Sequence, residues 1–150
     1  MSWVDRVKIR FATEDDFDWI LREHAEMVEK YPPMRRTLEL AVQEKQVILP
    51  ELDGKVIGML RFEYLGGAMP YMAVIFIDPD EYQAQGLGTA MLEFLEDHLR
   101  GLGHRQLLSS SETIDAKPQE WHRKRGFREA GLLLGTNDTG AGELFFLKDI

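Results

Sequence analysis

The sequence contains no cysteine. That excludes disulfides, thiolate metal sites and a thiol nucleophile, and it mildly favours a reducing compartment such as the cytoplasm. Long apolar runs are missing too: the longest is Tyr71–Ile77, far short of the ~20 residues a membrane-spanning helix needs. The opening stretch carries Asp5, Arg6, Lys8 and Arg10 where a secretory leader would be apolar. The expectation is a soluble cytoplasmic protein that does not engage a membrane. Basic charge is in deficit, with 18 Lys and Arg against 26 Asp and Glu for a net −8. A polyanion such as nucleic acid would meet net repulsion, whereas a cationic or neutral small partner would not. The four histidines show no metal-ligand spacing with acidic residues, so no metal is expected. Internal repeats, low-complexity tracts and linkers are absent as well.

What remains is ordinary globular composition, 44% hydrophobic and 29% charged over 150 residues. A chain of this length can bury roughly 70% of its unfolded surface, and it leaves no room for a second domain. The expectation is one domain over residues 1–150.

Val7–Phe11 alternates apolar and basic residues as a short strand, and Thr13 with Asp16 resembles a capping box opening a helix. Phe17, Ile20, Leu21 and Val28 recur at helical spacing to about Lys30, where Tyr31-Pro32-Pro33 stops the pattern. A second helix is predicted over about Met34–Glu44. Two Val, Ile and Leu-rich stretches, 46–52 and 55–65, flank Asp53-Gly54, a hairpin dipeptide that tolerates positive φ. Pro70–Asp78 is apolar almost throughout, as a central strand buried on both faces would be. From Thr89 to Leu99, Met91, Leu92, Leu95 and Leu99 form one helical stripe with Glu93, Glu96 and Asp97 outside it, ending at Gly101. Arg105–Ser109 suits a strand, Pro118–Arg125 a short helix, and 128–135 with 143–148 a closing hairpin. The order predicts an α/β or α+β fold: a mixed, mostly antiparallel sheet of about seven strands with helices on both faces.

The chemistry concentrates where the central strand runs through a polar turn into the amphipathic helix. Gly86 and Gly88 let backbone approach a ligand closely, and the first N–H groups of a helix together with its dipole favour a phosphate. Glycines before a helix also serve as plain turn residues. The dinucleotide fingerprint fails because Met91 stands where its third glycine belongs, and the P-loop fails for want of its Lys-Ser/Thr pair. The turn therefore suits gripping a diphosphate through backbone amides, not cleaving it.

Gln83-Ala84-Gln85-Gly86-Leu87-Gly88 matches the coenzyme A signature Gln/Arg-x-x-Gly-x-Gly/Ala, and the chain here resembles the GNAT superfamily of N-acetyltransferases. Pro79 and Tyr82 lie on the approach to the signature as in that family. Trp121-His122-Arg123-Lys124-Arg125-Gly126-Phe127 resembles its aromatic-Tyr-x-Lys-x-Gly-Phe segment, and the element order agrees along nearly the whole chain. The resemblance implies acetyl-CoA as cosubstrate and direct transfer of its acetyl group to a primary amine. Amides of Gln83, Ala84, Gln85, Gly86, Leu87, Gly88 and Thr89 would hold the pyrophosphate. The edge of Phe76 and Ile77 would pair with the pantetheine amides where the family splays its two middle strands. Asp115 falls where many relatives have a coenzyme-proximal asparagine, and Lys124 where a basic residue can approach the phosphates; equally, Asp115 could cap the helix and Lys124 be a solvated charge.

The family's tyrosine, which commonly protonates the departing thiolate, is replaced here by His122. His122 could donate instead, or could simply pack against the last strands. For the general base the sequence offers Glu112, after Ser109-Ser110-Ser111, and Glu63, which Arg61 could satisfy as a surface pair. Glu112 would serve as base or as amine-binding carboxylate. His24 lies on the apolar stripe of the first helix as a satisfied buried histidine, and Glu23, Glu26, Glu29 and Tyr31 could face the acceptor. Two rival functions stay open: a coenzyme-binding regulatory module without turnover, and an acyltransferase for a longer acyl group. The closing hairpin also supplies edges on which a homodimer could form.

Overall fold

The computed structural model describes residues 2–150. After a 3-10 turn at Trp3–Arg6 the elements run β1 (Val7–Phe11), α1 (Phe17–Glu23), α2 (Ala25–Lys30), α3 (Met34–Gln43), β2 (Val47–Leu52), β3 (Lys55–Val56), β4 (Gly58–Leu65) and β5 (Met69–Ile77). They continue with α4 (Leu87–Gly101), β6 (Gln106–Glu112), α5 (Ala116–Lys124), β7 (Arg128–Leu133) and β8 (Glu143–Asp149). The eight strands form one open sheet in the order β1-β2-β4-β5-β6-β8-β7, with β3 beside β2. β5 and β6 run parallel, Tyr71 opposite Leu108 and Met72 opposite Ser109. The β1/β2, β2/β4, β6/β8 and β7/β8 ladders are antiparallel. This is the mixed, mostly antiparallel α/β architecture that the element order predicts.

Contacts divide the chain into two compact units, one of residues up to Phe62 with Val74–Leu92, the other of Glu63–Ala73 with Glu93–Ile150. In the first unit, Ile20, Leu38, Val47, Leu49 and Met59 are fully enclosed, with Phe17, Trp19 and Phe76 packed on them. A smaller cluster of Leu52, Ile57 and Leu87 is covered by Trp3, Val4, Val7, Ile77 and Tyr82. In the second unit Leu95, Leu99, Leu107 and Phe146 are fully enclosed.

Local chemistry explains most boundaries. The Thr13 N–H donates to Asp16 Oδ2 at 2.8 Å, half of a capping box, and the same carboxylate takes Arg10 Nη1 at 2.8 Å and Nη2 at 2.9 Å. The hydrogen bond from Arg10 dominates in holding the Asp16 carboxyl below its ordinary range. Asp53 and Gly54 both adopt positive φ at the β2–β3 turn, +48° and +82°, as a hairpin requires.

Four expectations are corrected. The helix predicted through Lys30 breaks at His24, giving α1 and α2; His24 is buried and its Nδ1–H donates to the Ile20 carbonyl at 2.9 Å. The second hairpin strand is interrupted at Ile57, whose N–H donates to Pro50 O while its own carbonyl accepts from Asp78 N. β5 sits mid-sheet, but most of its side chains are half-buried, not enclosed on both faces. Glu96, expected on the outer face of α4, is buried and takes Lys148 Nζ at 2.7 and 3.0 Å. The pattern of α4 alone cannot reveal that cation, because β8 supplies it. Arg61 is likewise buried while Glu63 is exposed. The outer strand β7 is exposed at all six positions, leaving a free sheet edge.

Candidate functional site

In the first unit, β5 hands the chain through a turn to α4. The Phe76–Ile77 end of β5 lies hard against β4: a side chain at Gly58 would place its Cβ 2.4 Å from the Phe76 carbonyl oxygen. Only glycine permits that approach. The Asp78–Pro79 peptide is cis, and Asp80–Tyr82 form a 3-10 turn. The Gln83 side-chain amide then reaches back, donating to Ile77 O at 3.0 Å and to Asp80 Oδ1 at 2.9 Å. This side chain braces the bend.

Ala84 and Gly86 both take positive φ, +57° and +83°. For alanine that conformation costs about 1 kcal/mol, so the bend depends on its anchors. Gly86 O accepts from Ala90 N at 3.0 Å, closing the first turn of α4. Gly86 is thus the helix N-cap, with no side-chain oxygen to occupy the donors that open a helix. Open space surrounds its α-carbon, since a Cβ there would meet nothing within 4 Å. Gln83, Ala84, Gln85 and Gly86 are exposed, while Gly88 and Thr89 are half-buried in the first turn of α4. Exposed backbone donors, a bare glycine and the positive end of a four-turn helix make a receptor suited to a diphosphate. Leu87 differs: it is 3% exposed and anchors the turn in the apolar cluster. Of the two strand residues predicted to face pantetheine, Ile77 joins that cluster and Phe76 stacks on Trp19, centroids 6.4 Å apart.

The second unit carries the remaining candidates. His122, on α5, is 3% exposed and sits among three aromatic rings. Phe146 stacks on it at 4.7 Å, and Trp121 and Phe127 meet it edge-on at 5.2 and 5.1 Å. Its Nδ1 lies 2.6 Å from Pro118 O and its Nε2 2.7 Å from Ser109 Oγ. A carbonyl only accepts, so the ring proton resides on Nδ1, and the Ser109 hydroxyl donates to Nε2. Burial pushes the imidazole below its ordinary pKa and keeps it neutral. Both nitrogens are thus engaged within the unit, locking α5 to β6.

Glu112 ends β6 half-exposed, and its Oε1 accepts from Thr139 Oγ1 at 3.3 Å. Directly opposite, in register, stands Glu143 of β8, whose Oε2 accepts from Asn137 Nδ2 at 2.9 Å. Like charges so placed repel, and the donors Asn137 and Thr139 reach them from the 134–142 loop. Gln119 Nε2 ties α5 to this end of β6 through Glu112 O and Thr113 O, each at 3.1 Å. Asp115 takes the N-cap position of α5 without a side-chain cap bond. Lys124 is exposed and pairs with Glu120 at 3.1 Å.

Two participants escape a reading of the sequence alone. Ser109 lies 13 residues from the imidazole it caps, and Glu143 becomes a neighbour of Glu112 only through the β6/β8 register. The alternation of β6 does signal that Ser109 and Ser111 share one face, and both are buried. Among the described residues no group of three or more His, Asp or Glu could hold a metal ion, and no helix is long and apolar enough to cross a membrane.

Residues 12–127 match the family model described as the Acetyltransferase (GNAT) family. No curated protein sequence matches the chain. Among solved structures, Ard1 from Thermoplasma volcanium superposes with a TM-score of 0.81 at 14% identity, covering 97% of this chain and 98% of its own. The ribosomal-protein-alanine N-acetyltransferase from Brucella melitensis gives 0.77 at 22% identity, with 95% and 99% covered. The PaiA N-acetyltransferase from Thermoplasma acidophilum, solved in complex with coenzyme A, gives 0.75 at 15% identity over 100% of both chains.

Proposed function

Because the chain belongs to the GNAT acetyltransferase family, we propose that it is an acetyl-CoA-dependent N-acetyltransferase acting on a primary amine. The observation that carries this reading is the bend at residues 83–86, exposed, braced by the Gln83 side chain and opening α4 on a bare glycine. Acetyl-CoA, when bound, would supply a thioester whose carbonyl carbon accepts the amine and whose sulfur leaves as the thiolate of coenzyme A. Amides of residues 84–89 take the pyrophosphate, the Gln83 N–H being held by Asp80 O at 2.9 Å, and the Phe76–Ile77 edge receives the pantetheine.

In the transfer, the amine nitrogen forms the new C–N bond, the C–S bond breaks, and one proton leaves the nitrogen. We assign that proton to Glu112, with Glu143 opposite it adding negative charge that favours a cationic acceptor. Direct attack follows from the lack of cysteine for an acyl-enzyme. The departing thiolate, with an ordinary pKa of about 8.5, can take its proton from water. That suits the neutral His122, whose one N–H is committed to Pro118 O. The motif position of His122 favours a second reading in which it is the acid, its proton leaving that carbonyl during the reaction. Asp115 and Lys124 are assigned to the coenzyme's periphery.

Isothermal titration with coenzyme A, followed by turnover on a panel of amines and acyl-CoA chain lengths, tests the proposal. Binding with turnover fastest for acetyl-CoA is expected; binding without turnover on any amine would mark a regulatory module, and no binding would refute the reading. Glu112→Gln should lower kcat about 100-fold or more with little change in coenzyme affinity. His122→Phe keeps the packing without a titrating ring: near-wild-type kcat supports water as the acid, and a comparable loss supports His122.

A further inference from the structure

The bend at residues 83–86 has one apolar anchor on each side, Tyr82 before it and Leu87 after it. Both belong to the cluster that the N-terminal 3-10 turn covers with Trp3 and Val4. The Trp3 ring lies 5.1 Å from the Tyr82 ring at a tilt of 57°. The turn bearing Trp3 is itself fixed. Ser2 N–H donates to Asp5 Oδ2 at 3.0 Å and Val4 N–H to Ser2 Oγ at 3.3 Å, while Arg6 holds Asp53 at the β2–β3 turn through Nε and Nη2, both at 3.1 Å. A tethered indole therefore bears on the chain just where it enters a bend with two positive-φ residues, one of them alanine. The family match begins at residue 12, so this prop is supplied by sequence outside the matched region.

We infer that Trp3 is a positioning residue for coenzyme binding, holding Tyr82 and hence the phosphate-facing bend in its receptive shape; the inference rests on the coenzyme site assigned above. The indole does not touch the reacting atoms. Its effect is preorganisation: without it, the ordering of the bend must be met from the binding energy of the ligand. An aromatic pair of this kind corresponds to about a 3- to 10-fold change in affinity.

The test is a KM-against-kcat split on the full chain. Trp3→Ala should raise the KM for acetyl-CoA and the calorimetric Kd for coenzyme A by about 3- to 10-fold, with kcat at saturating coenzyme changed less than about twofold. Trp3→Phe should restore most of the loss. Trp3→Leu keeps apolar volume without the ring, so it should resemble Ala in affinity while melting close to wild type, and it decides the matter if the alanine variant folds poorly. In a Trp19→Phe, Trp121→Phe background, emission from Trp3 should shift on saturation with coenzyme A. Wild-type protein that fails to bind coenzyme A overturns this inference together with the site it rests on. Wild type that binds, with Trp3→Leu binding equally well, overturns the role of Trp3 alone.

Discussion

Replacing Gly58 by alanine tests the packing that presents the end of β5. A Cβ there falls 2.4 Å from Phe76 O, 2.9 Å from Ile77 Cδ1 and 3.2 Å from Ile77 Cα. The Ile77 methyl can rotate away, but the carbonyl oxygen belongs to the backbone, so β4 and β5 must part locally. Overpacking of this kind costs about 1–3 kcal/mol, and a backbone obstacle places Gly58→Ala near 3 kcal/mol. For a chain of this size that is a fall of about 6–12 °C in melting temperature. The displacement also moves the Phe76–Ile77 edge, so coenzyme affinity should weaken at temperatures where the variant is fully folded. Calorimetric melts and coenzyme titration measure the two effects separately. Gly101→Ala is the control, because its Cβ meets nothing within 4 Å and alanine suits a helix better, making it neutral or stabilising by up to about 1 kcal/mol. A Gly58→Ala protein that melts with wild type and binds coenzyme equally would refute the reasoning.

The buried ion pair should respond unequally from its two sides. Lys148→Met strands the Glu96 carboxylate, 4% exposed at its side chain, with Arg100 at 3.6 Å as its remaining cation, and should cost about 3 kcal/mol in urea denaturation. Glu96→Gln should cost clearly less, since the Lys148 side chain is 21% exposed and can turn to water. For His122, burial lowers the folded pKa, so the unfolded chain binds the extra proton. Its contribution is complete above about pH 6.5 and is lost as pH falls from there toward the folded pKa, at no more than about 1.4 kcal/mol per pH unit. Chemical denaturation between pH 7.5 and 5.5 should show a shallower decline for His122→Phe than for wild type; parallel profiles would contradict the neutral, buried imidazole.

Periodicity exposed the elements because each has one face to bury: the stripe of α4, the alternation of β1 and the Asp53-Gly54 turn were legible from local pattern alone. The bend to which the coenzyme is assigned was legible as a turn for a related reason, since its glycines and its position after an apolar strand are consecutive in the chain. Glu96, Arg61 and Glu143 were not. Their environments are set by Lys148, by burial and by the β6/β8 register, none of which follows from neighbours in sequence. His122 shows both sides of this. Its place in the aromatic segment was visible, but Ser109 and the ring of Phe146 come from other strands and fix its tautomer and charge.

The brace formed by Gln83 bears on the spelling of the coenzyme signature. Its amide nitrogen faces two oxygens at once, the Ile77 carbonyl and an Asp80 carboxylate oxygen, so the position requires a side chain that can place an N–H donor there. Glutamine and arginine, the two residues the signature allows, share that property, whereas glutamate, identical in length and shape to glutamine, would set a third oxygen against the other two and prise the bend open.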